Sequence, residues 1–259
     1  MHPLTRTRLE KAAADNGFDL DRGMDGAWLR FESSHAHIHL WLNEWAGATI
    51  IAAFSNAALL HTLGPHGVPL THPLPPGAMG GRSVGDFGQL HDLLRRAMLL
   101  ARTLPDALWQ TFEAQTAALP MTTEAERLVV QRVGQHLFRQ GLLDLWDGRC
   151  AISGLSVPAL LRASHAKPWK DCATDQERLN VHNGLLLAAH LDAAFDAGLI
   201  TVEDDGWVVV SEALEADARA VLGVERPRRV RGLVEEHRGY LAWHREWVFQ
   251  QGSVPRASV

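Results

Sequence analysis

The residues best placed to do chemistry lie in Leu160–Ile200, LLRASHAKPWKDCATDQERLNVHNGLLLAAHLDAAFDAGLI. His165 ends a short apolar run. Asn183-Gly184 opens a second one, and His190-x-Asp192 starts an amphipathic segment. Hydrolysis of a phosphodiester needs a nucleophile, neutralisation of charge on the phosphate and a stabilised leaving oxygen. A neutral imidazole can take a proton from water because its pKa lies near working pH. A divalent cation can supply the rest as Lewis acid and template. His165 is the candidate general base, and Asn183 is the carboxamide that holds the loop. His190 and Asp192 are the candidate cation ligands. One imidazole with oxygen donors suits Mg²⁺ or Mn²⁺ better than a closed zinc site.

Three motifs, RASHAKPW (162–169), NGLLL (183–187) and HLDAAFDAGLI (190–200), resemble the HNH endonuclease superfamily in its restriction-endonuclease-like branch. The resemblance covers roughly Gln131 to Phe249. It implies an endonuclease acting on DNA with a divalent ion, and a ββα-metal centre with His165 at the end of its first strand. It also implies that Asn183 orients the loop and the base. His190 and Asp192 fall where the family carries a helix-borne ligand. A single centre of this kind cuts one strand, so double-strand cleavage implies a homodimer. Two departures stand out. Many relatives carry Asp or His before the base, where this chain has Ser164. Many also carry Cys-x-x-Cys pairs for a zinc knuckle, where this chain has Cys150-Ala-Ile-Ser153. Two cysteines cannot build a four-thiolate site, so no structural zinc is expected. Ser164 also keeps open a different class: a non-catalytic DNA-binding or interaction module with a decayed centre.

Several residues carry a second reading. His165 alone also fits a strand-end histidine bonded to a carbonyl, but the three motifs in order favour the base. Asn183 alone fits a turn former beside Gly184. Asp196 is read as fixing the helix end against Gly198, with a role at the metal as the alternative. His182 is read as a solvated loop residue. Lys167 and Lys170, around Trp169, are candidate phosphate contacts or ordinary surface lysines. Arg226, Arg228, Arg229 and Arg231 are either a grip on the DNA backbone or a solvated loop.

The composition is that of an ordinary globular chain, 46% hydrophobic and 21% charged over 259 residues, enough for two modest domains. No apolar run reaches the length needed to span a bilayer, and the N-terminus lacks the apolar core of a signal peptide. Two cysteines, read as free thiols, favour a reducing compartment and hence the cytoplasm. The net charge of −5 does not by itself suggest a nucleic-acid partner. Residues 121–190 carry eight Lys+Arg against seven Asp+Glu, and residues 191–259 eight against twelve. Any grip on DNA must therefore be local and sensitive to salt.

The elements that position these residues divide near Pro120. The fold class expected is α+β: a small mixed N-terminal domain over 1–118 and an HNH nuclease domain over 119–259. The first half reads as a helix over Leu4–Asn16, then strands at Trp28–Phe31, His37–Leu42 and Thr49–Phe54. Residues 64–88, rich in Gly and Pro, are expected to be irregular. Helices follow at Gln89–Thr103 and Asp106–Ala118. His35, His37 and His39 would share a strand face, but neighbours two apart lie roughly 6–7 Å from each other and do not converge easily on one ion. With Trp41 and Trp45 they suggest a polar face that stacks on bases, which makes 1–118 a candidate reader of sequence or modified base. In the second half, Thr123-x-x-Glu126 is a capping box for a helix ending near Leu145. Strands are expected at Cys150–Ile152, Leu160–His165 and Gly184–Ala188, and a helix at Ala189–Ala197. Leu199–Val202 and Trp207–Ser211 form a hairpin around EDDG. Helices over Glu212–Leu222 and His237–Phe249 close the chain.

Overall fold

The computed structural model describes residues 1–252, except 46–48, 65, 104, 121–122 and 231 and the side chains of 105 and 106. The chain forms two compact units, Met1–Ala107 and Leu108–Val259. The boundary lies before Ala118, where the sequence reading put it. The reason is that Leu108 and Phe112 pack against the next helix, close to Gly141 and Gly134.

In the first unit the elements run α1 (Pro3–Asp15), β1 (Leu20–Asp25), β2 (Trp28–Glu32), β3 (His39–Trp45), β4 (Thr49–Phe54), α2 (Ala57–Thr62), β5 (Val68–Pro69), β6 (Gly80–Val84) and α3 (Phe87–Thr103). The sheet order is β1-β2-β3-β4-β6-β5, antiparallel throughout. Helix α1 buries Leu9, Ala12 and Ala13, and α3 buries Leu90, Leu93, Leu94 and Ala97, as an apolar stripe at helical spacing requires. On the sheet, Trp28, Trp41, Ile51 and Ala53 form a second buried cluster, covered by Leu70 and Ala78. Trp41 is therefore 2% exposed, and its indole N–H donates to Asp25 Oδ2 at 2.9 Å. It offers no free face for stacking, which corrects its assignment as a DNA contact. Trp45 stays 46% exposed, edge-on to His72. His35 and His37 lie in bends before β3 rather than on it.

Strand β6 corrects the expectation of an irregular 64–88 segment. Its glycines allow close approach: a side-chain carbon at Gly81 would meet the Ala52 carbonyl at 2.6 Å, and one at Gly80 would meet Leu60 at 2.5 Å. There the Gly-rich composition marks strand packing rather than a loop.

The second unit begins with α4 (Pro105–Thr116, largely in this unit) and α5 (Glu124–Leu145). The capping box forms: Glu126 N–H donates to Thr123 Oγ1 and Thr123 N–H to Glu126 Oε2, at 3.3 and 2.8 Å. Residues 150–153 form a turn, not the expected strand, because Cys150 Sγ accepts the amide hydrogens of Ser153 and Ala188. Then come β7 (Leu161–His165), α6 (Asp175–Leu179), β8 (Gly184–Ala188), α7 (Ala189–Asp196), β9 (Ile200–Val202), β10 (Val208–Val210), α8 (Ala216–Leu222) and α9 (Glu235–Trp247). Strands β7 and β8 pair antiparallel, with Leu161 opposite Ala188 and His165 opposite Gly184. Both α5 and α7 pack on this pair, and β8 is buried along its whole length. That explains its unbroken GLLLA. The β9–β10 hairpin turns at Gly206, whose φ of +93° favours glycine.

Candidate active site

Strand β7, strand β8 and helix α7 bring the three sequence motifs together as a ββα unit. His165 sits at the end of β7. Its ring stacks on Phe138 of α5 with centroids 3.8 Å apart, and Trp169 meets it edge-on. Its Nε2 lies 2.9 Å from the Arg178 carbonyl oxygen. A carbonyl can only accept, so Nε2 carries the proton and Nδ1 keeps its lone pair. No partner holds Nδ1 among the described residues. Burial depresses the imidazole to about 4 despite that hydrogen bond, so the ring is neutral at neutral pH.

Asn183 is fully buried. Its Oδ1 accepts from Lys167 N–H at 2.8 Å, and its Nδ2 donates to the Lys167 carbonyl at 3.1 Å and to Cys172 Sγ at 3.3 Å. Ala166 N–H in turn donates to the Asn183 carbonyl. The carboxamide thus imitates a strand partner for the chain just after His165. It is a positioning residue rather than a simple turn former. Burial raises the Cys172 thiol to about 11, which keeps it protonated and able to donate to the Lys167 or Pro168 carbonyl.

The carboxylates differ from expectation. Asp192 is half-buried and Asp196 is four residues further along α7, on the same helical face. Ser164 Oγ donates to Asp196 Oδ1 at 3.2 Å and also supports Asp192. Burial holds both carboxyls above their ordinary range, and the charge of Asp196 raises Asp192 further. Asp196 therefore faces Ser164 instead of fixing the helix end at Gly198, whose N–H bonds to the Phe195 carbonyl. His190 is exposed and has no hydrogen bond or ion pair among the described residues. At two residues from Asp192 it lies on a different side of the helix, so the two do not form one ligand pair. Among the described residues no three His, Cys, Asp or Glu converge on one centre. The oxygen set of Asp192, Asp196 and Ser164 still fits a hard divalent cation: two crowded carboxylates are held up in pKa, and a cation would relieve both. The i,i+4 spacing of the two aspartates was the signal available in the sequence.

A cleft of about 340 Å³ is lined by Ser164, His165, Pro168, Trp169, Asp196 and His244. His244 is buried, stacked on Phe195, with Nδ1 2.9 Å from Thr201 Oγ1. The sequence reading missed it along with Phe138 and Arg178. Lys167 is committed to Glu177 at 2.7 Å, which holds its ammonium up and removes it as a free phosphate ligand. Lys170 is exposed and unpaired among the described residues. His182 is 5% exposed and edge-on to His237, so it is not a solvated residue. Arg226, Arg228 and Arg229 are exposed, whereas Arg231 lies outside the described residues.

No helix of the described residues is long and apolar enough to cross a membrane. No curated protein matches this chain. Residues 150–203 match a family model described as HNH endonuclease, so this span of the C-terminal half, which holds β7, Asn183, β8 and α7, is similar to nuclease-type domains of the HNH superfamily.

Proposed function

We propose that this protein is a metal-dependent DNA endonuclease of the restriction type, with residues 108–259 cutting and the N-terminal unit reading sequence or modified base. The observation that carries the reading is His165: its Nε2–H is tied to the Arg178 carbonyl, so Nδ1 is the free base on a residue that lines the cleft. In this reading Nδ1 takes the proton of an attacking water. Asp192 and Asp196, with the Ser164 hydroxyl, would hold a divalent cation such as Mg²⁺ or Mn²⁺. That ion would supply Lewis-acid stabilisation of the phosphate and the leaving oxygen. Asn183 fixes the loop on which the base depends, and Phe138 fixes the ring plane. Lys170, Arg226, Arg228 and Arg229 are the exposed cations of the sequence reading, and Lys170 and Arg226 are assigned to backbone phosphates. Two copies of the chain would be needed to cut both strands.

A second reading, an interaction module with a decayed centre, draws on Ser164 and on the exposed His190. Plasmid nicking in Mg²⁺ or Mn²⁺ separates the two. His165→Ala should lose roughly 10²–10⁴ in rate while binding DNA normally. Asp196→Asn should raise the Mn²⁺ concentration needed, and His190→Ala should not. An unmodified protein that never nicks, or an active His165→Ala variant, refutes the catalytic reading.

A further inference from the structure

A larger cavity, of about 1220 Å³, opens elsewhere in the second unit, between the 146–154 turn, the β9–β10 hairpin and residues 227–230 and 232–233. Arg149, Arg228, Arg229 and Arg238 line it, with the indole of Trp207. The residue types at once raise the question of what neutralises the guanidiniums. Arg238 pairs with Glu235 at 2.5 Å. Arg149, Arg228 and Arg229 form no ion pair among the described residues. The two carboxylates on the rim do not fill the gap. Asp204 is taken by Arg245 at 2.6 Å, and Asp205 Oδ1 accepts from Trp207 N–H at 3.2 Å.

Two of these three arginines, Arg228 and Arg229, are nevertheless held in place. Residues 228–230 run beside the hairpin: Val208 N–H donates to the Arg228 carbonyl and Val230 N–H to the Gly206 carbonyl, at 2.9 and 2.8 Å. Arg228 Nε donates to the Gly223 carbonyl and Arg229 Nε to the Asp205 carbonyl, at 2.8 and 2.9 Å. Each bond fixes the inner edge of a guanidinium and leaves its terminal nitrogens free to donate. Arg229 lies 5.6 Å over the Trp207 ring, and that indole stays 41% exposed. Fixed cationic donors beside an open aromatic face suit a nucleotide: phosphate oxygens on the arginines and a base on the ring. A concave cavity favours an unstacked strand over the convex backbone of a duplex.

We infer that this cavity is a single-stranded DNA subsite, with phosphates on Arg149, Arg228 and Arg229 and one base stacked on Trp207. It rests on the endonuclease reading only for the choice of DNA as ligand, because binding here uses none of the groups assigned to cleavage. The test is therefore made on full-length protein in EDTA, where no cutting occurs. The probes are a fluorescein-labelled single-stranded 12-mer, its blunt duplex, and inorganic polyphosphate as a baseless competitor. The single strand should bind more tightly than the duplex. Trp207→Ala should weaken it roughly tenfold, with Trp207→Phe largely restoring it. Arg228→Gln/Arg229→Gln should lower the slope of log affinity against log salt by about 1.4, the value for two lost phosphate contacts on a single strand. All these side chains are exposed, and matching circular dichroism and melting curves show that the variants fold. Unchanged affinity in Trp207→Ala, or polyphosphate competing as well as the 12-mer, overturns the base subsite. An unchanged salt slope in the arginine pair overturns the phosphate contacts. Binding as expected by a protein that never nicks DNA would leave this subsite standing and remove the nuclease reading alone.

Discussion

At the scale of single residues, three histidines with strongly depressed pKa values tie the candidate site to the stability of the fold. Burial depresses His165 and His244 to about 4 and His237 to about 3. In the unfolded chain each returns to about 6.5. Between these values the unfolded state binds protons that the native state does not, so stability rises with pH across the window. It is fully present above about 6.5 and is lost as pH falls toward 4, at about 1.4 kcal/mol per pH unit for each ring. Asp192 and Asp196 work in the opposite sense, because their raised pKa values let the native state hold protons more readily. The histidines outnumber them and have the larger shifts. The melting temperature of the full chain should therefore fall between pH 7.5 and 5.5, and His165→Gln should make that fall shallower. A melting temperature that is flat across this range, or equally steep in the variant, would contradict the burial argument. None of this was visible in the sequence: His237 and His244 read there as residues of a closing helix, and His182 as a solvated one. Burial of a polar ring depends on which helix packs over it, and no local pattern records that.

At the scale of elements, the sequence was most legible where the signal is local. The Thr123–Glu126 box, the EDDG turn and the order β7, β8, α7 could all be read because cap, turn and apolar period lie within a few residues of each other. It was least legible where distant segments decide the outcome. Strand β6 grows from glycines that permit contact with β4, and Trp41 is buried by a loop some thirty residues away. Gly184 makes the same point inside the site. Its φ of −155° is open to any residue, so the constraint is space rather than backbone conformation. A methyl group there would strike Phe138 and come within 2.9 Å of Leu142 Cδ1 and 3.0 Å of the Ser164 carbonyl. The carbonyl belongs to β7 and cannot rotate away. Gly184→Ala should therefore cost about 1–3 kcal/mol from overpacking. It should also lower nicking, because the displaced Phe138 is the ring on which His165 stacks. Thermal melting and the nicking rate would be read together, and a variant that melts and cuts like its parent would refute the coupling.

At the scale of the whole molecule, the question is how the work is divided between the two units. The first is a six-stranded sheet with helices and holds none of the ββα residues. The second holds all of them, with its own core around Phe138, Leu142, Leu186 and Phe195. A cutting fragment should start at Pro105 rather than after Ala118, because Leu108 and Phe112 fill the space beside Gly141 and Gly134. Fragment 105–259 should fold and nick DNA in Mn²⁺ with little preference for sequence, since contacts to the backbone position a protein without specifying its site. The full chain should discriminate among duplexes carrying different base modifications. Trp45→Ala should blunt that preference, because Trp45 is the half-exposed indole of the sheet, whereas Trp41 is enclosed and would act only through stability. Competitive binding of the full chain and the fragment to modified and unmodified duplexes decides the matter. Equal selectivity in both would show that the first unit is not the reader. Its sheet would then serve assembly or stability, and specificity would have to come from the cutting unit itself.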